Sequence, residues 1–359
     1  MSVHIMARRS FMLLAIASTA ALQAAPRRRA ATARRAAPAL VDAPGLGEAR
    51  RPLAARARTL FRFTRPHTFV GTALAVPALH AYAADSLGAL CSMGCARSIA
   101  GALAPALLVN VFITGLNQIC DVGIDRVNKP QLPVASGELG LAHARGIVGL
   151  SLGLALALGW RSTVPLRRVL GGSAFLGWAY SAPPLRLKRS PLLAALSIVA
   201  VRGVLVNACF YAHAVQGLAP RARTAAAARL PLVVTFFSLL GVAIALMKDV
   251  PDTRGDATFG VATYARRGGR PRVFALSAGL LGGTLLSGAF ALGVAAARAA
   301  APLRAAARLA LAAALGGVAL DARRRASHVD AGSGEDVARF YMHLWKCFFA
   351  CYALLPLVR

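Results

Sequence analysis

Asn117, Asp121 and Asp125 recur at four-residue intervals in GLNQICDVGIDRVNKP (115–130), directly after an apolar run. On a helix of 3.6 residues per turn each step drifts by only about 40°, so the amide and both carboxylates share one stripe about 12 Å long. A second window, KDVPDTRGD (248–256), places Asp249, Asp252 and Asp256 at i, i+3 and i+7, again one face if helical. Pro251 and Gly255 predict that this window straddles a helix end. Of 13 acidic residues in the chain, these five aspartates fall in two short windows. Aligned oxygen ligands suit a hard divalent cation, because Mg²⁺ takes carboxylate oxygens and keeps positions for water and substrate phosphates. Two such clusters facing each other could hold Mg²⁺ on a diphosphate. Arg126, Lys129, Arg186, Lys188 and Lys248 would then take up the remaining charge. Pairing of each aspartate with an Arg or Lys of a neighbouring helix is the alternative reading.

The elements that must position these groups are membrane helices. The chain is 359 residues long, 57% hydrophobic and 15% charged, with a formal charge of +29, and its apolar runs are broken by short basic loops, as in polytopic helical membrane proteins. Nine spans are expected, at 68–84, 98–119, 144–160, 165–182, 191–212, 230–247, 273–296, 302–320 and 337–357. The second span ends at the first acidic cluster and the sixth at the second, so both clusters emerge on one side, the side of the mature N-terminus. Loops of that side carry more Arg and Lys, which makes it the side from which the chain inserts, cytosol or stroma. Because the arginines sit in the N-terminal segment and in these loops, they argue for membrane topology and against nucleic-acid binding. The CxxxC pairs Cys91/Cys95 and Cys347/Cys351 are read as helical neighbours in an apolar bundle.

Residues 1–26 hold an apolar core, FMLLAIASTAALQAAP, behind Arg8 and Arg9, the pattern of a signal peptide. Residues 27–57 are rich in Arg and Ala with only Asp42 and Glu48 as acids, the make-up of a transit peptide. Together they read as a two-part targeting presequence (1–57) ahead of a transmembrane domain (58–359), resembling those of proteins bound for a plastid ringed by extra membranes; a mitochondrial presequence or a disordered basic tail is the alternative.

Two longer words contain the clusters and a third lies between them. NQICDVGIDRVNKPQLPVASGEL carries NxxxDxxxD, KDVPDTRGDATFGV carries DxxDxxxD, and YSAPPLRLKR (180–189) lies between them. In this order and spacing, from Thr64 onward, the chain resembles the UbiA superfamily of membrane aromatic prenyltransferases. FTRPHTFVGTAL, NKPQLPVASGE and FYMHLWKCFFACYALLPLVR are most similar to its plastid branch acting on homogentisate. The resemblance implies an all-α polytopic bundle of about nine transmembrane helices around a central cavity. It implies Mg²⁺ as cofactor, with a prenyl diphosphate, phytyl diphosphate first, as donor and homogentisate as acceptor, alkylated with loss of CO₂. Solanesyl and geranylgeranyl donors, chlorophyll synthesis and an ion-coupled transporter are the alternatives.

In that frame Asn117, Asp121, Asp125, Asp249, Asp252 and Asp256 serve the metal, with Asp121, Asp125, Asp252 and Asp256 as its catalytic centre; Asn117 either ligates or orients Asp121. Arg126, Lys129, Tyr180, Arg186, Lys188 and Lys248 are expected on the diphosphate, and Arg65 and His67 on the acceptor's carboxylate. The site is expected in a plastid membrane, facing the stroma. Two positions depart from the family pattern: Gln131 stands where relatives usually have Tyr, and Arg254 where many have Glu.

Overall fold

Apolar runs punctuated by Pro, Gly and basic turns fold into helices in this computed structural model, which describes residues 52–358; no strand occurs among the described residues. The helices are α1 (Leu53–Phe63), α2 (Pro66–Ala83), α3 (Met93–Cys120), α4 (Val122–Asn128), α5 (Leu141–Gly159) and α6 (Val164–Ser181). Next come α7 (Pro191–Gly217), α8 (Leu230–Met247), α9 (Thr253–Thr258) and α10 (Tyr264–Gly268). The chain ends with α11 (Arg270–Ala297), α12 (Pro302–Ala326) and α13 (Gly334–Leu354). Starts follow local chemistry: the hydroxyls of Ser92, Thr163 and Ser333 cap α3, α6 and α13 by accepting from backbone N–H groups of the first turn.

All nine expected spans coincide with helices, yet seven of them are long and apolar enough to cross a membrane by length and composition. The two that fall short, α2 and α6, are 18 residues each. Helix α2 contains His67, His80 and Pro77, and α6 carries Arg167 and Arg168. Helix α2 also buries Val76, Leu79 and Tyr82 against its neighbours, so lipid does not set its hydropathy. The presequence assigned to 1–57 lies outside the described residues up to position 51, and its end falls within α1. That helix is tied to the body by Arg62, whose guanidinium donates to Glu138 at 2.8 and 3.0 Å.

Helix α3 packs against α2, α5 and α6, α8 packs against α7 and α11, and α13 reaches α2, α8 and α12. The core of this arrangement is an aromatic column on α8 and α13. Phe237 stacks on Tyr352 with ring centroids 4.0 Å apart, while Phe348 and Trp345 meet edge to face. Outward faces are apolar in turn: Phe290 is 75% and Leu158 55% exposed, as a lipid-facing surface requires.

Helices α7 and α8 touch through Gly203, where an added Cβ would stand 2.6 Å from Ser238 Cα. Backbone cannot swing aside as a side-chain tip does, so Gly203→Ala should destabilise by about 1–3 kcal/mol and lower the melting temperature in detergent. Gly279→Ala, in α11 with open space around it, should leave the melting temperature unchanged or raise it. Equal melting temperatures for the two variants would contradict this packing.

Candidate active site

The two acidic windows, more than a hundred residues apart in sequence, fold into short helices that pack on one another, α4 and α9. Each follows a membrane helix directly: Asp121 is the C-cap of α3 and Lys248 that of α8. The carbonyl ends of two long helices therefore point at the site and favour cations there. The pieces are clamped by Asn128, whose amide donates to the Asp252 carbonyl at 2.9 Å and accepts from the Gly255 N–H at 2.8 Å. A Cβ at Gly255 would stand 2.5 Å from Asn128 Oδ1, so only glycine fits against this clamp. Arg270 ties the adjoining loops, donating to the carbonyls of Val250 at 3.1 Å and Gly332 at 2.7 Å.

Charge pairing across the mouth is extensive. Lys129 binds Asp252, Lys188 binds Asp121, and Lys248 binds its neighbour Asp249. Arg186 adds a longer contact to Asp121 at 3.4 Å, and Arg65 stands 3.8 Å from Asp125. Arg65 and Arg186 are the two non-glycine residues with positive φ among the described residues, at 51° and 39°. Such backbone is costly for a side-chain-bearing residue and persists where surrounding contacts impose it. Asn117 donates to Asp121 at 2.8 Å and to the Ser181 hydroxyl at 3.3 Å, so its amide orients the carboxylate.

Of the positions anticipated from sequence, Arg126 is exposed and Arg254, the departure noted above, is exposed too. The remaining basic candidates and Tyr180 stand in the site, with the Lys248 ammonium 5.9 Å from the Tyr180 ring centre. His67 packs edge to face on Trp345 at 5.1 Å and Tyr341 at 6.3 Å. The sequence reading missed Asn128, Gly255 and Arg270. The first two lie inside the quoted windows, but only the fold shows that they face each other.

Behind the mouth lies a cavity of about 220 Å³. Its charged lining residues are Arg65, Arg202 and Lys248, with no Asp or Glu. Its walls are otherwise mostly apolar, with Ile113, Val169, Leu170 and Val206 among them. Carboxylates at the rim and cations within make a receptacle for an anion joined to a hydrocarbon tail.

Do the residues suit a divalent cation? Asp121, Asp125 and Asp256 are 8%, 5% and 5% exposed, and one oxygen each of Asp125 and Asp256 is buried without a hydrogen-bond partner. Hard oxygen donors left unsatisfied in both clusters fit such an ion. Among the described residues no group of three or more His, Cys, Asp or Glu side chains is gathered tightly enough to hold a metal ion by itself. That accords with an ion that takes one or two carboxylates and completes its shell with water and phosphate.

Burial pushes the Asp125 carboxyl up to about 6, with Arg65 and Lys129 opposing and Asp121 and Asp252 reinforcing the rise. Burial likewise pushes Asp256 up to about 7, reinforced by Asp249 and Asp252. Both folded-state values exceed the ordinary carboxylate value of 3.8. Without metal these groups therefore lose stability as pH rises from about 4 through 7, and a cation that binds their ionised forms reverses the loss. Added Mg²⁺ should raise the melting temperature at pH 8 and have little effect at pH 5.5; an equal rise at both would contradict the assignment of these carboxyls to the cation.

A model of the UbiA prenyltransferase family matches residues 68–347. The chain is 40% identical over 310 residues to homogentisate phytyltransferase of Synechocystis sp., covering 84% of this chain and 96% of that one. It is 36% identical over 314 residues to probable homogentisate phytyltransferase 1, chloroplastic, of Oryza sativa subsp. japonica, covering 86% and 75%. In fold it is similar to a UbiA homolog from Archaeoglobus fulgidus bound to GPP and Mg²⁺, with TM-score 0.54 and 16% identity, covering 83% of this chain and 99% of that one.

Proposed function

The chain belongs to the UbiA prenyltransferase family, and from that premise we propose that it transfers a phytyl group from phytyl diphosphate to homogentisate, releasing diphosphate and CO₂. One observation carries the reading: two acidic segments meet through Asn128, Lys129, Asp252 and Gly255 at the mouth of a cavity lined by cations and hydrocarbon. The names of relatives at 36% and 40% identity supply the substrate pair.

Asp125 and Asp256, with their unsatisfied oxygens, are the first candidates to hold Mg²⁺, joined by Asp121, Asp249 and Asp252, while Asn117 fixes Asp121. When bound, the ion supplies Lewis-acid stabilisation of charge on the diphosphate oxygens. Lys129, Lys188 and Lys248 now neutralise aspartates, and each would be free to turn to a phosphate oxygen were its carboxylate engaged by the cation. Arg186 adds a guanidinium at the same rim. The allylic C–O bond breaks with its electron pair leaving on the diphosphate, and these cations meet the charge as it develops. The apolar walls keep water from the allylic cation until a ring carbon of homogentisate forms the new C–C bond. That ring carbon loses its proton; CO₂ leaves the side arm, and the benzylic carbon takes up a proton in its place. Tyr180, beside Lys248, presents an aromatic face to the cation.

Residues 1–57 serve in this proposal as a cleaved presequence and the protein sits in a plastid membrane with the mouth toward the stroma; the chloroplastic rice relative supports the compartment.

Asp121→Ala and Asp252→Ala should each cut methylphytylbenzoquinol formation at least about 100-fold, with both variants still accumulating in the membrane fraction. The assay supplies homogentisate with phytyl, geranylgeranyl or solanesyl diphosphate and reads products by mass spectrometry. Near-normal turnover in either variant with Mg²⁺ present would overturn the site, and faster turnover with another donor would overturn the phytyl assignment.

A further inference from the structure

One cation of the cavity has no counterpart. Arg65 stands near Asp125 and Lys248 binds Asp249, whereas Arg202 makes no ion pair or side-chain hydrogen bond among the described residues. Its guanidinium lies over the face of Trp345, 4.9 Å from the ring centre, and its Nη1 faces Gly71 of α2. A charged side chain within a membrane span marks a functional position unless another protein group neutralises it.

The backbone is shaped to put it there. Residues Ala200–Leu205 form a π-helical turn inside α7, an insertion that rotates the following side chains by about 100° relative to unbroken α-helix and recurs at functional sites. Asn207 secures the turn by donating to the carbonyls of Arg202 at 2.8 Å and Gly203 at 3.0 Å. Tyr352 holds Asn207 in turn, donating to its Oδ1 at 2.9 Å. Gly203 lets α8 approach closely, and Arg202, the residue before it, lines the cavity.

What anion would complete it? The diphosphate is served by the lysines and Arg186 at the mouth. Arg202 lines the same cavity as Lys248 but sits in an aromatic recess with Trp345, Tyr341 and His67. A planar ring bearing a short carboxylate arm fits both halves of that recess. We propose that Arg202 binds the carboxylate of the aromatic acceptor and is the residue that distinguishes homogentisate from the same hydroquinone without its carboxyl group. The assignment rests on the acceptor proposed above; it moves the carboxylate contact from Arg65, which faces Asp125, to Arg202.

The test compares homogentisate with 2-methylhydroquinone, the same ring with a methyl group in place of the carboxymethyl arm. Arg202→Ala should raise KM for homogentisate about 30-fold, the loss of one charge-assisted contact, while KM for phytyl diphosphate moves less than about threefold. The wild-type preference for homogentisate over 2-methylhydroquinone should shrink by the same factor, and Arg202→Lys should restore part of it. Homogentisate alone should raise the melting temperature of the wild type and not of Arg202→Ala, while phytyl diphosphate with Mg²⁺ stabilises both. A homogentisate KM within about threefold of wild type, or an equal loss for both acceptors, would overturn the inference. Should Arg202→Ala not accumulate, Arg202→Lys decides on the same two acceptors: unchanged discrimination refutes the proposal. Wild-type enzyme that alkylates some other ring but never homogentisate would instead overturn the function proposed above.

Discussion

Carboxylates withdrawn from water at a membrane surface are unstable unless positive charge meets them, and several drawn together repel one another as well. The five aspartates of the two acidic windows face both costs, and the architecture around them answers with Lys129, Lys188, Lys248, Arg65 and Arg186. The compensation is incomplete: Asp125 and Asp256 each keep a buried oxygen without a hydrogen-bond partner. Such a site holds free energy that a divalent cation can release, which is why the clamp through Asn128 and Gly255 matters beyond its two hydrogen bonds. It keeps the like charges close, and so keeps the need for a cation.

Charge is also sorted by depth. Acids gather at the helix ends where water reaches, and the cavity beyond them has cationic but no acidic lining residues. A substrate with an anionic head and a hydrocarbon tail can bring its charge to the rim while its tail lies among Ile113, Val169 and Leu170. Ion pairs that now neutralise the rim are exchangeable, since each lysine can trade a carboxylate for a phosphate. Arg202 has no carboxylate to trade, so it adds a second, independent anion preference within the same cavity.

Much of the rim was legible from residue spacing. Asp121, Asp125, Asp252 and Asp256 stand in short motifs whose period matches one helical face, and the parity of the apolar spans put both motifs on one side of the membrane. Pairing of aspartates with basic residues is the alternative to metal binding that the sequence offers, and the structure shows such pairs together with unsatisfied oxygens. Arg126 carried the same sequence signature as Lys129 yet is exposed, because a short helix can turn only one of its faces to the site. Helices α2 and α6 were expected from their apolar character, though their hydropathy is lowered by His and Arg residues that apolar counting penalises.

Sequence by itself determined the chemistry available: oxygen ligands at helical intervals, basic loops, and spans long enough to cross lipid, because each depends only on residue type and local period. Tertiary structure alone decided which groups meet. Asn128 against Gly255, Arg270 bridging two loops, and Arg202 turned over Trp345 by a π-turn are separated by tens to hundreds of residues or rest on one inserted residue in a helix. No periodicity encodes such encounters, since they arise from how helices pack and where a backbone departs from 3.6 residues per turn.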